Sequence, residues 1–518
     1  MNRANHEAAA RWWSFLDLLE KSLIEAGAPR PRCVLTPARG ANITALCDDS
    51  RHVTPGACFV AVRGLNGDGH DFLDDAIRRG AAAVIVEHDL PVEPPIARVL
   101  VSDTRLALAR LAATFFEINA PDRPRLRLVG VTGTNGKSTT TWFLRSILQA
   151  RGAKTALLGT IEYDLTDRRL NAPLTTPGPI ELCRHLAGST AAGARYGVLE
   201  VSSHALDQRR TDGLDFDATV FTNLSGDHLD YHKTHEAYLE SKCRLFANQR
   251  TNAWAVVNLD DPAARTVMDA ARGRVRTFAL DRTSADFRAE ILDADIHSTQ
   301  AIIRGKRFGF TVRVHLPGRY NVANALAAAA AASLLGVSHD AIKEGIERVA
   351  GVPGRLQSAV SADSPFSVLV DYAHTDDALA HALGTLAPLT RGRLICVFGC
   401  GGDRDRTKRP RMAAVAERLC DEVWVTSDNP RHEAPRAILD DIVMGFAQPP
   451  QCALHVEVDR RKAIQGAIES AAPDDTVLIA GKGHEAVQQI GDTVLEFDDV
   501  AIARACARSR TPVSEVVA

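Results

Sequence analysis

Aromatic residues are scarce in this chain, 17 Phe, 6 Tyr and 5 Trp in 518 residues, and its ten cysteines include no Cys-x-x-Cys pair. Scattered, unpaired cysteines predict reduced thiols and a cytoplasmic protein. Cys396 and Cys400 fall in and just after a predicted strand, where packing accounts for them better than metal. Neither sign of charge is in excess: 61 Lys and Arg stand against 64 Asp and Glu, a formal net charge of −3, and no electrostatic argument favours nucleic acid or an anionic membrane. A long apolar run is missing too. The most apolar stretch, Ala325 to Val337, is mostly alanine and too short to cross a bilayer, and it predicts a closely packed buried helix. The N-terminal stretch, with Arg3, Glu7 and Arg11 before Trp12 to Leu19, carries acid inside its apolar part and has no cleavage site, so it does not read as a signal peptide.

What is present is a repeated alternation of short apolar runs and amphipathic stretches, the pattern of α/β proteins with mostly parallel sheets. At 518 residues one core is not enough, and three domains are expected. Residues 1–103 read as a small N-terminal α/β domain, with strands near 57–62, 82–87 and 98–101. Residues 104–351 read as a central domain with strands at 156–158, 196–201, 218–224, 254–259 and 275–280. Residues 352–518 read as a C-terminal Rossmann-like α/β domain. Its strands are expected at 368–370, 394–398, 422–425, 455–458 and 476–479, and its helices at 411–419, 437–446 and 460–470.

The central domain is organised around Gly130-Val131-Thr132-Gly133-Thr134-Asn135-Gly136-Lys137-Ser138-Thr139. A short apolar run precedes it and a predicted helix, 138–151, follows. Strand, glycine loop, Lys-Ser and helix make the layout that cradles nucleotide phosphates, with backbone N–H groups and the positive helix end converging on the anion. The match is imperfect, because Val131 stands where the usual pattern has glycine. Two other runs end in ionisable residues: one leads into Glu200-Val201-Ser202-Ser203-His204, the other into Asp227-His228-Leu229-Asp230-Tyr231-His232. Carboxyl ends of parallel strands share one crevice, so Glu200, Asp227 and His228 are expected to meet the phosphate loop. A carboxylate there suits Mg²⁺. His228 and His232 have the spacing of zinc ligands on a helix but lack third and fourth partners, while His204 and His232 read equally well as structural histidines.

Elsewhere Asp48 to Arg51 and Gly64 to His70 are either ligand loops or solvated turns. In the last third Asp371 to His374, Gly401 to Pro410, Asp428 to Arg431 and Gly481 to Glu485 each follow a predicted strand and can converge on one face. The cationic stretch Arg404 to Arg411 reads either as part of that face or as solvated surface. Interleaved aspartates and missing aromatics argue against nucleic acid.

Taken in order, these strings resemble the Mur ligases of peptidoglycan synthesis. The resemblance runs over nearly the whole chain: Asp49-Ser50-Arg51, Gly133 to Ser138, Thr175-Thr176-Pro177, Glu200 to His204, Asn223-Leu224-Ser225, Asp227 to His232, Gly354-Arg355-Leu356, Asp371 to His374, Asp428-Asn429-Pro430-Arg431 and Gly481 to Glu485. Within the family it is closest to the enzymes that join an amino acid to UDP-N-acetylmuramoyl-alanyl-D-glutamate. The resemblance implies ATP as a substrate, held by Gly133, Thr134, Asn135, Gly136, Lys137, Ser138 and Thr139, with Asn321, Arg355, Asp371 and His374 assigned loosely to regions that contact the adenosine end or steer domain closure. It implies Mg²⁺ on Ser138, Glu200 and His228, with Lys242 carbamylated; from the residues alone Lys242 reads as a surface lysine. Lys137, Glu200, His228 and Lys242 are thus the expected catalytic residues.

The UDP-muramoyl dipeptide would lie on Ser50, Leu65, Asn66, Gly67, Thr175, Thr176, Ser202, Gln208 and Arg210. Members with Asp-Asn-Pro-Arg are similar to those that take meso-diaminopimelate. Its distal carboxylate suits the guanidinium of Arg431, with Arg404, Asp428, Asn429, Pro430, Gly481 and Glu485 completing the site. Three departures from the family pattern are Leu174, Asp376 and Ala434. The expected activity is ATP-dependent amide ligation through an acyl phosphate, by a monomer acting on small molecules. The alternatives are the same ligation with L-lysine, or a P-loop small-molecule kinase.

Overall fold

A computed structural model describes residues 13–24, 32–34, 42–64, 67–88, 96–120, 125–226, 229–306 and 308–510. Leu65, Asn66, Asp227 and His228, along with Arg3, Glu7 and Arg11, lie outside the described residues. The architecture is α/β, built on sheets of five, eleven and six strands.

The five-stranded sheet runs in the order Arg32–Val34, Ala97–Leu100, Ala83–Val86, Ala57–Val60 and Ala45–Cys47, and only its first pair is antiparallel. The helix Thr104–Phe115 follows it. Leu108 and Leu111 of that helix belong to one buried cluster with Val60 and Val99 of this sheet and Leu128 and Leu186 of the next unit.

The eleven-stranded sheet has a parallel centre, Thr155–Leu158, Tyr196–Glu200, Arg127–Thr132, Phe216–Phe221, Trp254–Asn258, Arg274–Ala279 and Phe287–Ala294. Strands buried on both faces must be apolar throughout, which is why the central strands were legible as unbroken runs. The helices Lys137–Ala150, Arg319–Leu334 and His339–Glu347 cover one face. The alanine-rich helix is buried along its length, as its composition predicts; small side chains let it lie close to the sheet. Three antiparallel strands, Phe287–Ala294, Thr299–Gly305 and Phe308–Val314, were not anticipated. They bury alternate residues such as Ala301, Ile303, Val312 and Val314, and their outward charges interrupt any apolar run.

The six-stranded sheet runs Gln357–Ser358, Ser367–Asp371, Thr476–Ala480, Leu394–Phe398, Glu422–Val425 and Ala453–Val456, parallel after the first pair. Its last strand begins two residues before the expected 455–458, because pairing of Ala453 with Glu422 sets the register. A small hairpin, Val487–Ile490 with Thr493–Glu496, is a further element the sequence did not announce.

In both parallel sheets the chain reverses its direction of strand addition beside one strand, Arg127–Thr132 in the central sheet and Thr476–Ala480 in the last. Loops at such points form the crevice where α/β proteins bind ligands. Among the described residues, no helix is long and apolar enough to cross a membrane.

Candidate active site

The phosphate loop leaves strand Arg127–Thr132 and enters helix Lys137–Ala150. Gly133 passes so close to Thr222 that an added Cβ would stand 1.9 Å from its Oγ1. Gly136 has φ +85°, where side chains are strained, and a Cβ there would meet Asn324 Oδ1 at 2.3 Å. The segment after strand Phe216–Phe221 props the loop from behind. Thr134 N donates to Asn223 O at 2.9 Å, Asn135 N to Asn223 Oδ1 at 2.9 Å, and Ser225 N to Thr134 Oγ1 at 2.9 Å. Thr139 is buried inside the helix start. Lys137 Nζ folds back onto the loop carbonyls of Gly133 and Thr134, at 2.9 and 2.7 Å.

Asn321 donates from its amide to Pro317 O at 2.8 Å, and its Oδ1 accepts from Asn324 Nδ2 at 3.5 Å. Asn324, one helical turn on, is the residue against Gly136, and Thr140 Oγ1 donates to its Oδ1 at 3.4 Å. Sequence reasoning missed Asn324; the only signal was its i+3 spacing from Asn321.

Ser138 Oγ donates to Glu200 Oε2 at 3.0 Å, so two oxygens distant in sequence meet at the helix start. Glu200 is 1% exposed, and Thr160 fixes its carboxylate by donating from its backbone N to Oε1 and from Oγ1 to Oε2, both at 2.9 Å. A hydroxyl and an oriented carboxylate beside a phosphate loop are the hard oxygen donors Mg²⁺ prefers, and the group fits that ion. Lys242 is no surface lysine: it is 1% exposed, and its Nζ lies 4.2 Å from the Tyr238 ring centre. Tyr238 OH in turn meets Thr134 Oγ1 of the loop at 3.1 Å. The described histidines nearby form a ring cluster, His204 on Tyr231 at 4.2 Å and His232 on Tyr238 at 5.1 Å.

Thr175, Thr176, Ser202, Gln208 and Arg210 are brought together. Thr175 Oγ1 lies 3.0 Å from Thr160 Oγ1, and Thr176 Oγ1 donates to Glu200 O at 2.8 Å. Ser202 N donates to Thr176 Oγ1 at 3.1 Å, while Arg210 donates to Thr176 O at 2.7 Å and to Gln208 Oε1 at 2.8 Å. Thr160 ties this group to the Ser138–Glu200 pair, and nothing in the sequence singled it out. Ser50, buried, and Gly67, exposed, sit on loops of the five-stranded sheet.

Across the crevice stand the loops of the six-stranded sheet. Asp371 accepts from Leu356 N at 2.7 Å and from Ala373 N at 2.8 Å, which fixes the turn carrying Arg355; burial pushes its carboxyl up. Asp428 and Asn429 are buried, and a Cβ at Gly481 would stand 2.5 Å from Asp428 Oδ2. Pro430 is buried beside them, its carbonyl packed against Gly402. Arg431 is held at φ +50°, with Nη1 donating to Gly402 O at 2.9 Å. Glu485 accepts from Asn429 Nδ2 at 3.0 Å and Tyr372 OH at 3.4 Å, and burial pushes its carboxyl up. Arg404 is exposed, as a solvated residue would be. Arg409, in the same cationic stretch, is not: at 0% exposure it bonds Glu433, Asp441 and Gly401 O, fastening the Gly401 loop to the Arg431 loop.

The two sides touch. Arg355 Nη2 donates to Ser138 Oγ at 3.1 Å, Ser225 Oγ to Asp377 Oδ2 at 2.7 Å, and Lys408 Nζ to His374 O at 2.7 Å within the far side. His484 reaches the Thr160 backbone; burial, then the Arg355 charge, pulls its pKa from 6.5 to about 4. The imidazole is thus neutral where an unfolded histidine is protonated. Between pH about 6.5 and 4 the unfolded chain binds a proton that the folded chain does not, so stability falls as pH drops through that window. His484→Gln should therefore flatten the decline of Tm between those two pH values, read by thermal melts at half-unit steps.

Comparison with known proteins bears on the family. Residues 131–332 match the Mur ligase middle domain, 354–483 the Mur ligase glutamate ligase domain, and 42–116 the Mur ligase family catalytic domain. A Synechococcus elongatus protein named UDP-N-acetylmuramoyl-L-alanyl-D-glutamate–2,6-diaminopimelate ligase is 44% identical over 493 residues, covering 93% of this chain and 98% of its own.

This chain belongs to the Mur ligase family.

A Geobacillus thermodenitrificans relative of the same name is 42% identical to this Mur ligase, over 91% of this chain and 96% of its own. A solved structure of a UDP-N-acetylmuramoyl-L-alanyl-D-glutamate–2,6-diaminopimelate ligase aligns with a TM-score of 0.66 at 34% identity, over 90% of this chain and 95% of its own. The MurF ligase of Thermotoga maritima, solved in complex with ADP, shares the fold at 20% identity and a TM-score of 0.59. The Mur ligase fold accounts for the imperfect phosphate-loop match: Val131 is a buried strand residue, and the loop proper begins at Gly133.

Proposed function

We propose that this Mur ligase joins meso-2,6-diaminopimelate to the γ-carboxylate of UDP-N-acetylmuramoyl-L-alanyl-D-glutamate, consuming ATP, in peptidoglycan precursor synthesis. Relatives at 42–44% identity bear that activity in their names. The observation that carries the reading is that Ser138, Glu200, Thr160 and Thr175 form one bonded group facing Arg355 and the Asn429–Glu485 loops.

In this reading three domains, 1–103, 104–351 and 352–518, hold the UDP-sugar, ATP and the amino acid. Ser50 and Gly67 contact the nucleotide end of the UDP-sugar, Leu65 and Asn66 of the same loop with them. Thr175, Thr176, Ser202, Gln208 and Arg210 orient the dipeptide so that its γ-carboxylate faces the γ-phosphorus of ATP. Residues 133–139 hold the phosphates, while Asn321, Arg355 and Asp371 take the remaining positions around ATP, with His374 beside them. A carboxylate oxygen attacks the phosphorus, ADP leaves, and an acyl phosphate remains. The amine of diaminopimelate attacks the acyl carbon, phosphate leaves, and the amine sheds its proton. Lys137 neutralises charge on the transferring phosphoryl group. Ser138, Glu200, His228 and a carbamylated Lys242 would hold Mg²⁺, which supplies further positive charge to the phosphates. Arg355, reaching Ser138 from the far side, closes the crevice against water, which would otherwise hydrolyse the acyl phosphate. Arg431 and Arg404 bind the carboxylates of diaminopimelate, and Glu485, with Asp428, Asn429, Pro430 and Gly481 around it, receives its distal ammonium. The enzyme is expected to act as a cytoplasmic monomer.

ADP release tests the reading. With the UDP-muramoyl dipeptide and diaminopimelate, ADP and the UDP-tripeptide should form in equal amounts, and with lysine far more slowly. Equal rates with lysine would remove the substrate assignment. ADP formed without an amino acid would point to a kinase.

A further inference from the structure

Lys482 follows strand Thr476–Ala480 and is 0% exposed, an unusual place for an ammonium. Its Nζ donates to Asn429 Oδ1 at 3.1 Å and to the carbonyl of Val487, and lies 3.8 Å from Glu485 Oε2. A second donor, Gln489 N, also reaches Asn429 Oδ1, at 3.0 Å. Two donors on one side decide which way the amide points, so Nδ2 must face Glu485, where it stands 3.0 Å from Oε2. One buried cation thereby orients both side chains.

The same lysine ties down the hairpin Val487–Ile490 and Thr493–Glu496, and the hairpin in turn holds Arg431. Arg431 N donates to Gln489 O at 3.1 Å, Gly491 N donates to Arg431 O at 2.6 Å, and Gln488 Nε2 donates to Asp428 O at 2.8 Å. Arg431 is kept at φ +50°, a left-handed conformation disfavoured for a side-chain-bearing residue, and these bonds to the hairpin are what hold it there.

We propose that Lys482 is a positioning residue for the incoming amino acid: it fixes Asn429, Glu485 and, through the hairpin, Arg431 as one unit, and so sets which amine the site accepts. This rests on the reading of that site as the diaminopimelate site. Lys482 itself has its donors turned inward, onto Asn429, Val487 and Glu485, and is fully buried. Burial draws its pKa down, and the neighbouring carboxylates of Asp428 and Glu485 oppose that shift.

The test is K482M beside K482R and K482Q, with steady-state kinetics for each substrate and hydrogen exchange on the free enzyme. K482M should raise KM for diaminopimelate about tenfold or more, and lower its preference over lysine, with KM for ATP and for the UDP-dipeptide near wild type. K482R should recover part of the loss. Exchange should quicken in segments 428–432 and 487–491 and not in 133–139. In a cycle with N429A the effects on KM should be strongly non-additive, because Lys482 acts through Asn429. K482Q, which keeps a donor without the charge, carries the same expectations should K482M not fold. An unchanged KM for diaminopimelate in a folded variant, additive effects, or unchanged exchange at 428–432 would overturn the proposal. If the wild type takes a different amine, the exchange result still judges the positioning role, and only the functional reading falls.

Discussion

Lys137→Met should slow ADP formation by about 10²–10³-fold while leaving Tm almost unchanged. The ammonium ends on the carbonyls of Gly133 and Thr134, within the loop that follows strand Arg127–Thr132. Phosphoryl transfer asks little covalent chemistry of a protein, so catalysis rests on positioning and on charge set against the transferring group. Methionine keeps the apolar stem of lysine and removes the charge together with the two N–H bonds to the loop carbonyls. The fold does not depend on that ammonium, because the loop is also propped by Asn223, Thr222 and Ser225. The expected pattern is a fall in kcat larger than any rise in KM for ATP, measured by coupled ADP release. A loss expressed entirely in KM would mean that Lys137 binds ATP without stabilising the transition state.

Arg431→Ala should cut the preference for diaminopimelate over lysine by about 10- to 100-fold, chiefly by weakening diaminopimelate. A guanidinium offers a planar fork of donors, and one N–H is engaged by Gly402 O at 2.9 Å, which leaves the other edge for a carboxylate. Lysine has no distal carboxylate to meet it. Alanine also carries a Cβ, so the left-handed backbone at this position is no more strained in the variant. The bonds from the hairpin to the Arg431 backbone remain, which makes the substitution a test of the side chain alone. The measurement is the ratio of kcat/KM for the two amino acids. Selectivity that survived would turn attention to Arg404, which is exposed and donates to Asp403 O at 3.4 Å.

Much of the molecule was legible because burial on both faces forces a parallel strand to be apolar. Tyr196–Glu200, Leu394–Phe398 and Glu422–Val425 could be read almost to the residue, while Phe216–Phe221 starts two residues before the expected 218–224 and ends three before it. Edge elements could not. The antiparallel strands from Phe287 to Val314 and the hairpin from Val487 to Glu496 alternate buried and exposed residues or are exposed throughout, and their polar residues hide them. Residues with charge but no exposure were misread for a related reason. Arg409 stood in a cationic stretch that read either as part of the site face or as solvated surface, and Lys242 by its residues alone looked like a surface lysine, yet both are buried. Charge in a sequence predicts water unless a partner is known, and the partners of Arg409 come from a loop and a helix further along the chain.

By itself the sequence determined the α/β class, the phosphate loop and the order of the strings at the ends of the strands, because each is written in local spacing that chemistry constrains. Tertiary structure alone decided which of those strings touch: Ser138 with Glu200, Thr160 with Thr175, Arg355 with Ser138, and Lys482 with Asn429. A contact between residues far apart along the chain depends on strand order and on how one unit is set against another, and no local pattern of residues encodes either.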